Sequence, residues 1–141
     1  MKKVKIEIES LIEELDDAGL VDSSEKTRAE HNGELTKRDE ELLLTYTEKA
    51  ENVKIDSKIS VNGNGVTVSR RGGAEYDFIF REGEKTLSLY SIPPYSFDAE
   101  IYTKKIRNAL DENGGELSLI YDMTLGGAKK RTKMKIRVSE K

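Results

Sequence analysis

Residues 115–140 read GELSLIYDMTLGGAKKRTKMKIRVSE, and two alternations with one break between them decide the fold. Leu117, Leu119, Tyr121 and Met123 take every second position before Gly126-Gly127, and Met134, Ile136 and Val138 do so after it. Side chains two apart in an extended chain point to the same side of a sheet, so this period marks strands with one buried face and one wet face. Adjacent glycines supply the positive φ angles of a tight hairpin. The stretch therefore predicts an antiparallel pair joined by a short turn, its outer face made basic by Arg131, Lys133, Lys135 and Arg137.

The same period recurs outward from there. Val53, Ile55, Ile59 and Val61 share one phase, as do Tyr76, Phe78 and Phe80, and breaks fall at Asn62-Gly63-Asn64-Gly65, Arg71-Gly72-Gly73, Glu82-Gly83-Glu84 and Asn113-Gly114-Gly115. Strands are expected near 3–12, 25–36, 40–48, 53–61, 65–71, 75–82, 86–92, 97–107, 115–125 and 129–138. At the N-terminus Val4, Ile8, Leu11, Ile12 and Leu15 would also line one face of a helix. The strict alternation of Val4, Ile6 and Ile8 with charged residues, and the β-branched types used, favour a strand, with a bulge to absorb the change of phase at Ser10. Asp16 to Ser24 is acidic, small and interrupted by Gly19, and reads as a loop.

Short connections make neighbours antiparallel. The fold class is all-β, a single domain over 1–141, best satisfied by an up-and-down antiparallel barrel of about 8–10 strands, because closure removes exposed edges; a sandwich is the other option. Complementary charges on the first and last strands predict their pairing in the register Glu7–Lys133 and Glu9–Arg131, which leaves Lys5–Lys135 and Lys3–Arg137 like-charged. The expected core is Val4, Ile6, Ile8, Ile55, Ile59, Phe78, Phe80, Leu117, Leu119, Met134 and Ile136.

Composition narrows the chemistry. The chain has 141 residues, no Cys, a single His (His31), and 24 Lys+Arg against 27 Asp+Glu for a net charge of −3. Thiolate nucleophiles, Cys/His zinc sites and Cys-held iron–sulfur clusters are excluded, and the expectation is no metal and no cofactor. The charged start lacks the apolar run of a signal peptide, and no apolar stretch approaches the ~18 residues of a membrane span, so a cytoplasmic protein with no membrane partner is expected.

The run from Ser69 to Met123 carries a family likeness: Arg70 and Gly72 after a strand, Phe80 with Glu82-Gly83, Tyr90 before Pro94 and an aromatic, Thr103 in the next strand, and Gly114-Gly115 leading into Leu117, Leu119 and Tyr121. In these it resembles the YwiB-like family of small bacterial proteins, whose fold is similar to the calycin (lipocalin-like) β-barrels. Ser96 departs from the glycine the family has after the aromatic. The resemblance implies a calycin-like barrel of unknown function and transfers no catalytic residue.

Phase assigns what would line the barrel. Thr27, Ala29, His31, Gly33 and Leu35 share one face of the second strand; Leu42, Leu44 and Tyr46 carry Glu48 inward; Val66 and Val68 carry Arg70; Ile101 and Thr103 carry Lys105. Barrels of this size hold side chains or one small ligand. The candidate ligand-binding residues are Tyr46, Glu48, Arg70 and Thr103, with His31 and the rim residue Tyr95. Arg70 leads, since a five-donor guanidinium suits a carboxylate or phosphate on a mostly apolar molecule; the bland reading makes it an ion pair with Glu48 that only fixes the fold.

Tyr90-Ser91-Ile92-Pro93-Pro94-Tyr95-Ser96-Phe97 reads as a stiff rim segment whose aromatics either stack on a ligand or plug the barrel end. The run Lys129 to Arg137 could contact RNA or an acidic protein, but it lacks interleaved aromatics and the domain is net acidic. No catalytic residue is assigned. Three functions stay open in this order: a non-catalytic small-molecule binder, an interaction module for RNA or an acidic protein, and an enzyme using carboxylate, His31 or Arg70. Oligomeric state is not encoded in the patterns.

Overall fold

All ten alternating segments are strands in the computed structural model, which describes residues 1–63 and 65–141. They are β1 (Lys2–Leu15), β2 (Val21–Arg38), β3 (Glu41–Ala50), β4 (Val53–Asn62), β5 (Gly65–Arg71), β6 (Tyr76–Arg81), β7 (Lys85–Ile92), β8 (Tyr95–Asp111), β9 (Gly114–Leu125) and β10 (Ala128–Glu140). A single antiparallel sheet runs in the order β6-β5-β4-β3-β2-β1-β10-β9-β8-β7 and curls into a nearly closed barrel. Gly126 and Gly127 make a two-residue hairpin loop with φ of 59° and 85°, the twist that matches flanking right-handed strands.

The first and last strands pair, but four residues away from the expected register: Glu9 meets Lys135 instead of Arg131, and Glu7 meets Arg137. This register sets Lys5 against Ser139, removing the like-charge conflict, and places Ile8 opposite Ile136 where the expected one would have given it Thr132. Cross-strand charge pairs contribute only tenths of a kcal/mol, so the apolar rows dominate the choice. No bulge occurs at Ser10; the irregularity lies between Glu14 and Leu15, on the β2 side. Ser10 therefore keeps the phase of Val4 and Ile6, and Leu11 falls on the outer face.

The expected 16–24 loop is shorter, because β2 begins at Val21. Asp16 turns the chain by itself: its carboxylate accepts from the amides of Ala18 and Leu20, each at 2.9 Å. Residues 21–32 of β2 have β1 on one side only, since β3 joins at Gly33. Thr27 and Ala29 are accordingly exposed on a projecting hairpin and do not line the barrel.

Closure is incomplete between β6 and β7. One bridge, Glu75 to Ser91, joins the segments, and beyond it hydroxyls replace ladder amides: Thr86 Oγ1 donates to the Ile79 carbonyl at 2.6 Å and Ser88 Oγ to that of Asp77 at 2.7 Å. The core inside contains Val4, Ile6, Leu44, Ile59, Val66, Phe80, Ile101, Leu117, Leu119 and Ile136, all fully or nearly fully buried; Ile8 and Met134 pack on it half-buried.

Candidate site at the barrel mouth

Turns alternate between the two ends of an antiparallel barrel, so the β5–β6 turn and the Pro93-Pro94 turn between β7 and β8 share one end. The peptide between these prolines is cis. At this end the ladder sets Gly33, Tyr46, Ser57, Arg70 and Tyr76 side by side on five successive strands. Gly33 makes room for the row: a Cβ there would lie 2.7 Å from the Ile6 Cδ1 and run into the Thr45 carbonyl.

Aromatic rings fill the row from both sides. His31 stacks on Tyr46 with centroids 4.3 Å apart and planes 16° apart. Tyr76 stacks on Phe78 at 3.9 Å and on Tyr90 at 5.7 Å, both within 14° of parallel. Tyr90 in turn pairs with Phe97, and Ile92 with Tyr95. These four continue the inward phase of Ala99 and Ile101, yet Ile92, Tyr95 and Phe97 are 45%, 67% and 44% exposed, an apolar lip beyond the packed interior.

Arg70 stands between the two groups of rings. Its guanidinium lies beside the Tyr76 hydroxyl, its Nε is buried with no hydrogen-bond partner, and among the described residues no carboxylate comes within 4.0 Å of it. The fold-fixing ion pair with Glu48 is thus not formed. Burial pushes the Tyr76 phenol above its ordinary pKa, against the pull of Arg70, and burial raises that of Tyr46 as well, with Glu48 adding to it and Ser57 and Arg70 opposing.

The other expected site residues divide. Tyr46, Glu48, Arg70 and His31 come together at this end, with Tyr95 on its outer lip. Thr103 does face inward, fully buried, and its hydroxyl has no partner, but its backbone bonds Gly83 and Glu84 at the β6–β7 turn, the opposite end. Lys105, expected inward beyond Thr103, is exposed because the β8–β9 register shifts between Thr103 and Lys105. Ser57 and Tyr76 are not among the expected ligand contacts, and Tyr90 enters only through the aromatic rim segment. Ser57 had a signal: it is the one small polar residue in the inward phase of Ile55, Ile59 and Val61.

Elsewhere, a groove of about 950 Å³ opens at the far end beside the β4–β5 and β6–β7 turns, lined by Asn62, Arg81, Glu82 and Glu84 among others and by none of the expected residues. The basic run on β10 is largely neutralised: Arg131 pairs with Asp122 at 2.8 Å, Arg137 with Glu116 at 3.1 Å, and Lys133 and Lys130 with Glu13 and Glu14 at 3.7 Å. Among the described residues no helix is long and apolar enough to cross a membrane.

Residues 6–137 match a family described as a domain of unknown function, DUF1934. In sequence the chain is similar to the uncharacterized beta-barrel protein YwiB of Bacillus subtilis, with 29% identity over 85 residues, an alignment that spans 60% of each protein. In structure it is similar to the crystal structure of that bacterium's ywiB protein, with a TM-score of 0.86 over 99% of this chain and 92% of the other at 24% identity, a likeness of fold. With nearly its whole length matched, from within β1 to within β10, the chain belongs to the DUF1934 family, a domain of unknown function that here forms a β-barrel.

Proposed function

We propose that this protein is a non-catalytic cytoplasmic binder that holds the anionic head of a small, mostly apolar molecule against Arg70 at the barrel mouth. One observation carries the reading: Arg70 is a half-buried cation with a buried, unpartnered Nε and, among the described residues, no carboxylate within 4.0 Å. An unmet buried donor costs about 1–3 kcal/mol and more when charged, so a folded chain keeps one where something else supplies the acceptor. A carboxylate or phosphate does so with directional bonds. The lip of Tyr90, Ile92, Tyr95 and Phe97 gives the apolar body a place to lie.

Two facts weigh against the other readings. Most of the β10 cations already have acidic partners, which weakens the electrostatic case for RNA or an acidic protein. His31 is stacked flat on Tyr46, and among the described residues it makes no side-chain hydrogen bond to a Ser or Thr hydroxyl that it could activate. Native mass spectrometry of protein purified from its own cytoplasm tests the proposal. A retained small anion in the wild type, absent from an Arg70→Ala variant of unchanged circular dichroism, is the expected result. A retained ligand that survives the substitution, or protein that carries none in either form, overturns it.

A further inference from the structure

Arg70 is not the only unmatched charge at the mouth. Glu48, half-buried and on the inward phase of Leu44 and Tyr46, also has no cation within 4.0 Å among the described residues. The two lie on β3 and β5 with β4 between them, so strand spacing separates their backbones by about 10 Å across the sheet. Glu48 pairs across the ladder with the buried Ile55, whose backbone packs closely against Gly72 just past the end of β5. Opposite charges therefore stand two strands apart at the same end of the barrel, next to the row of Tyr46, Ser57 and Tyr76. Glu48 raises and Arg70 lowers the pKa of both the Tyr46 and the Tyr76 phenol, so both charges lie near these rings.

A ligand that is only an anion would satisfy Arg70 and be repelled by Glu48. A ligand that also carries a cation a few ångströms from its anion would satisfy both, and that arrangement is the α-amino acid headgroup. Resting on the mouth reading above, we infer that the ligand is a small zwitterion of amino-acid type, with its carboxylate on Arg70, its ammonium on Glu48, and an aromatic or large apolar side chain along Tyr76, Tyr90 and the Phe97 lip. The stacked rings favour a planar side chain, because offset aromatic pairs add attraction beyond the area they bury.

Three probes that differ by one charge separate the possibilities: L-phenylalanine, 3-phenylpropanoate without the ammonium, and phenethylamine without the carboxylate. Each is titrated into the ¹⁵N-labelled protein and followed by the amide resonances of residues 46–48, 57, 70, 76 and 90. Phenylalanine is expected to bind at least about tenfold tighter than 3-phenylpropanoate, with phenethylamine weakest. In Glu48→Gln the advantage of phenylalanine disappears while 3-phenylpropanoate binds more tightly than before, freed of the Glu48 repulsion; in Arg70→Gln both are lost. If the wild type binds 3-phenylpropanoate as well as phenylalanine, the zwitterion inference is overturned and the anion-binding mouth stands. If none of the three moves the mouth resonances, the inference is likewise overturned, and the retained-ligand measurement decides the mouth reading separately. The ranking of probes on the unaltered protein suffices even if a variant fails to fold.

Discussion

His31 lies flat on Tyr46, ring centroids 4.3 Å apart and planes within 16°. The contact ties β2 to β3 just past Gly33 and Tyr46, where their ladder ends, and fixes the phenol over the mouth. A double-mutant cycle of His31→Ala and Tyr46→Ala should show a coupling of about 0.5–1.5 kcal/mol in urea unfolding. Strictly additive effects would mean that the rings do not support one another.

The β6–β7 gap is held by side chains, so it should be the weakest line in the barrel. Replacing Thr86 by Val and Ser88 by Ala removes the two hydroxyl bonds to the Ile79 and Asp77 carbonyls. The double variant should lose about 1–3 kcal/mol, and native-state hydrogen exchange should accelerate in β6 and β7 well before β9 and β10. Equal acceleration in all four strands would contradict a local seam.

Tyr121 gives a pH signature. Burial pushes its phenol up to about 12 despite the Thr132 hydroxyl beside it. A folded-state pKa above the unfolded value of about 10 means the neutral phenol is favoured by folding, so this stability is full below pH 10 and is lost as pH rises toward 12. Two units correspond to about 2–3 kcal/mol. Tyr46 and Tyr76, also raised, act in the same direction. Alkaline unfolding of Tyr121→Phe should begin at higher pH than that of the wild type; coincident curves would show that the phenol is hydrated.

Phe80 is 1% exposed and packs 4.6 Å from Tyr121. Its replacement by Ala should cost about 3–5 kcal/mol in urea unfolding, and a midpoint unchanged within error would remove it from the core.

Much of this architecture is visible in the chain itself, because period two is a local property. Val4, Ile6 and Ile8 against their charged neighbours mark β1 as a strand, and the Gly126-Gly127 hairpin is written in two letters. Register is not local: the cross-strand charges would accept Glu9 with Arg131 or with Lys135, and the choice falls to apolar rows such as Ile8 with Ile136, which form only in the folded barrel. The acidic segment before Ser24 looks like loop because its strand is held by backbone pairing with β1 alone. Phase also places Tyr46, Glu48 and Arg70 on inward faces, and the ladder brings them to one end of the barrel. Phase says nothing about height along the barrel, however, so Thr103 is inward at the end opposite Arg70 and Tyr95 lies past the packed interior. Tyr76 and Ser57 were hidden by their neighbours, the one reading as core beside Phe78 and Phe80, the other as a spacer between isoleucines.

The central claim is that an anion belongs on the Arg70 Nε. The most direct measurement is the ¹H–¹⁵N resonance of that Nε–H in protein purified under native conditions, compared with the same protein unfolded, stripped of small molecules and refolded. A bound anion predicts a downfield, slowly exchanging signal that is lost on stripping and restored by the extract removed. The same resonance in both preparations, exchanging freely with water, would contradict the account.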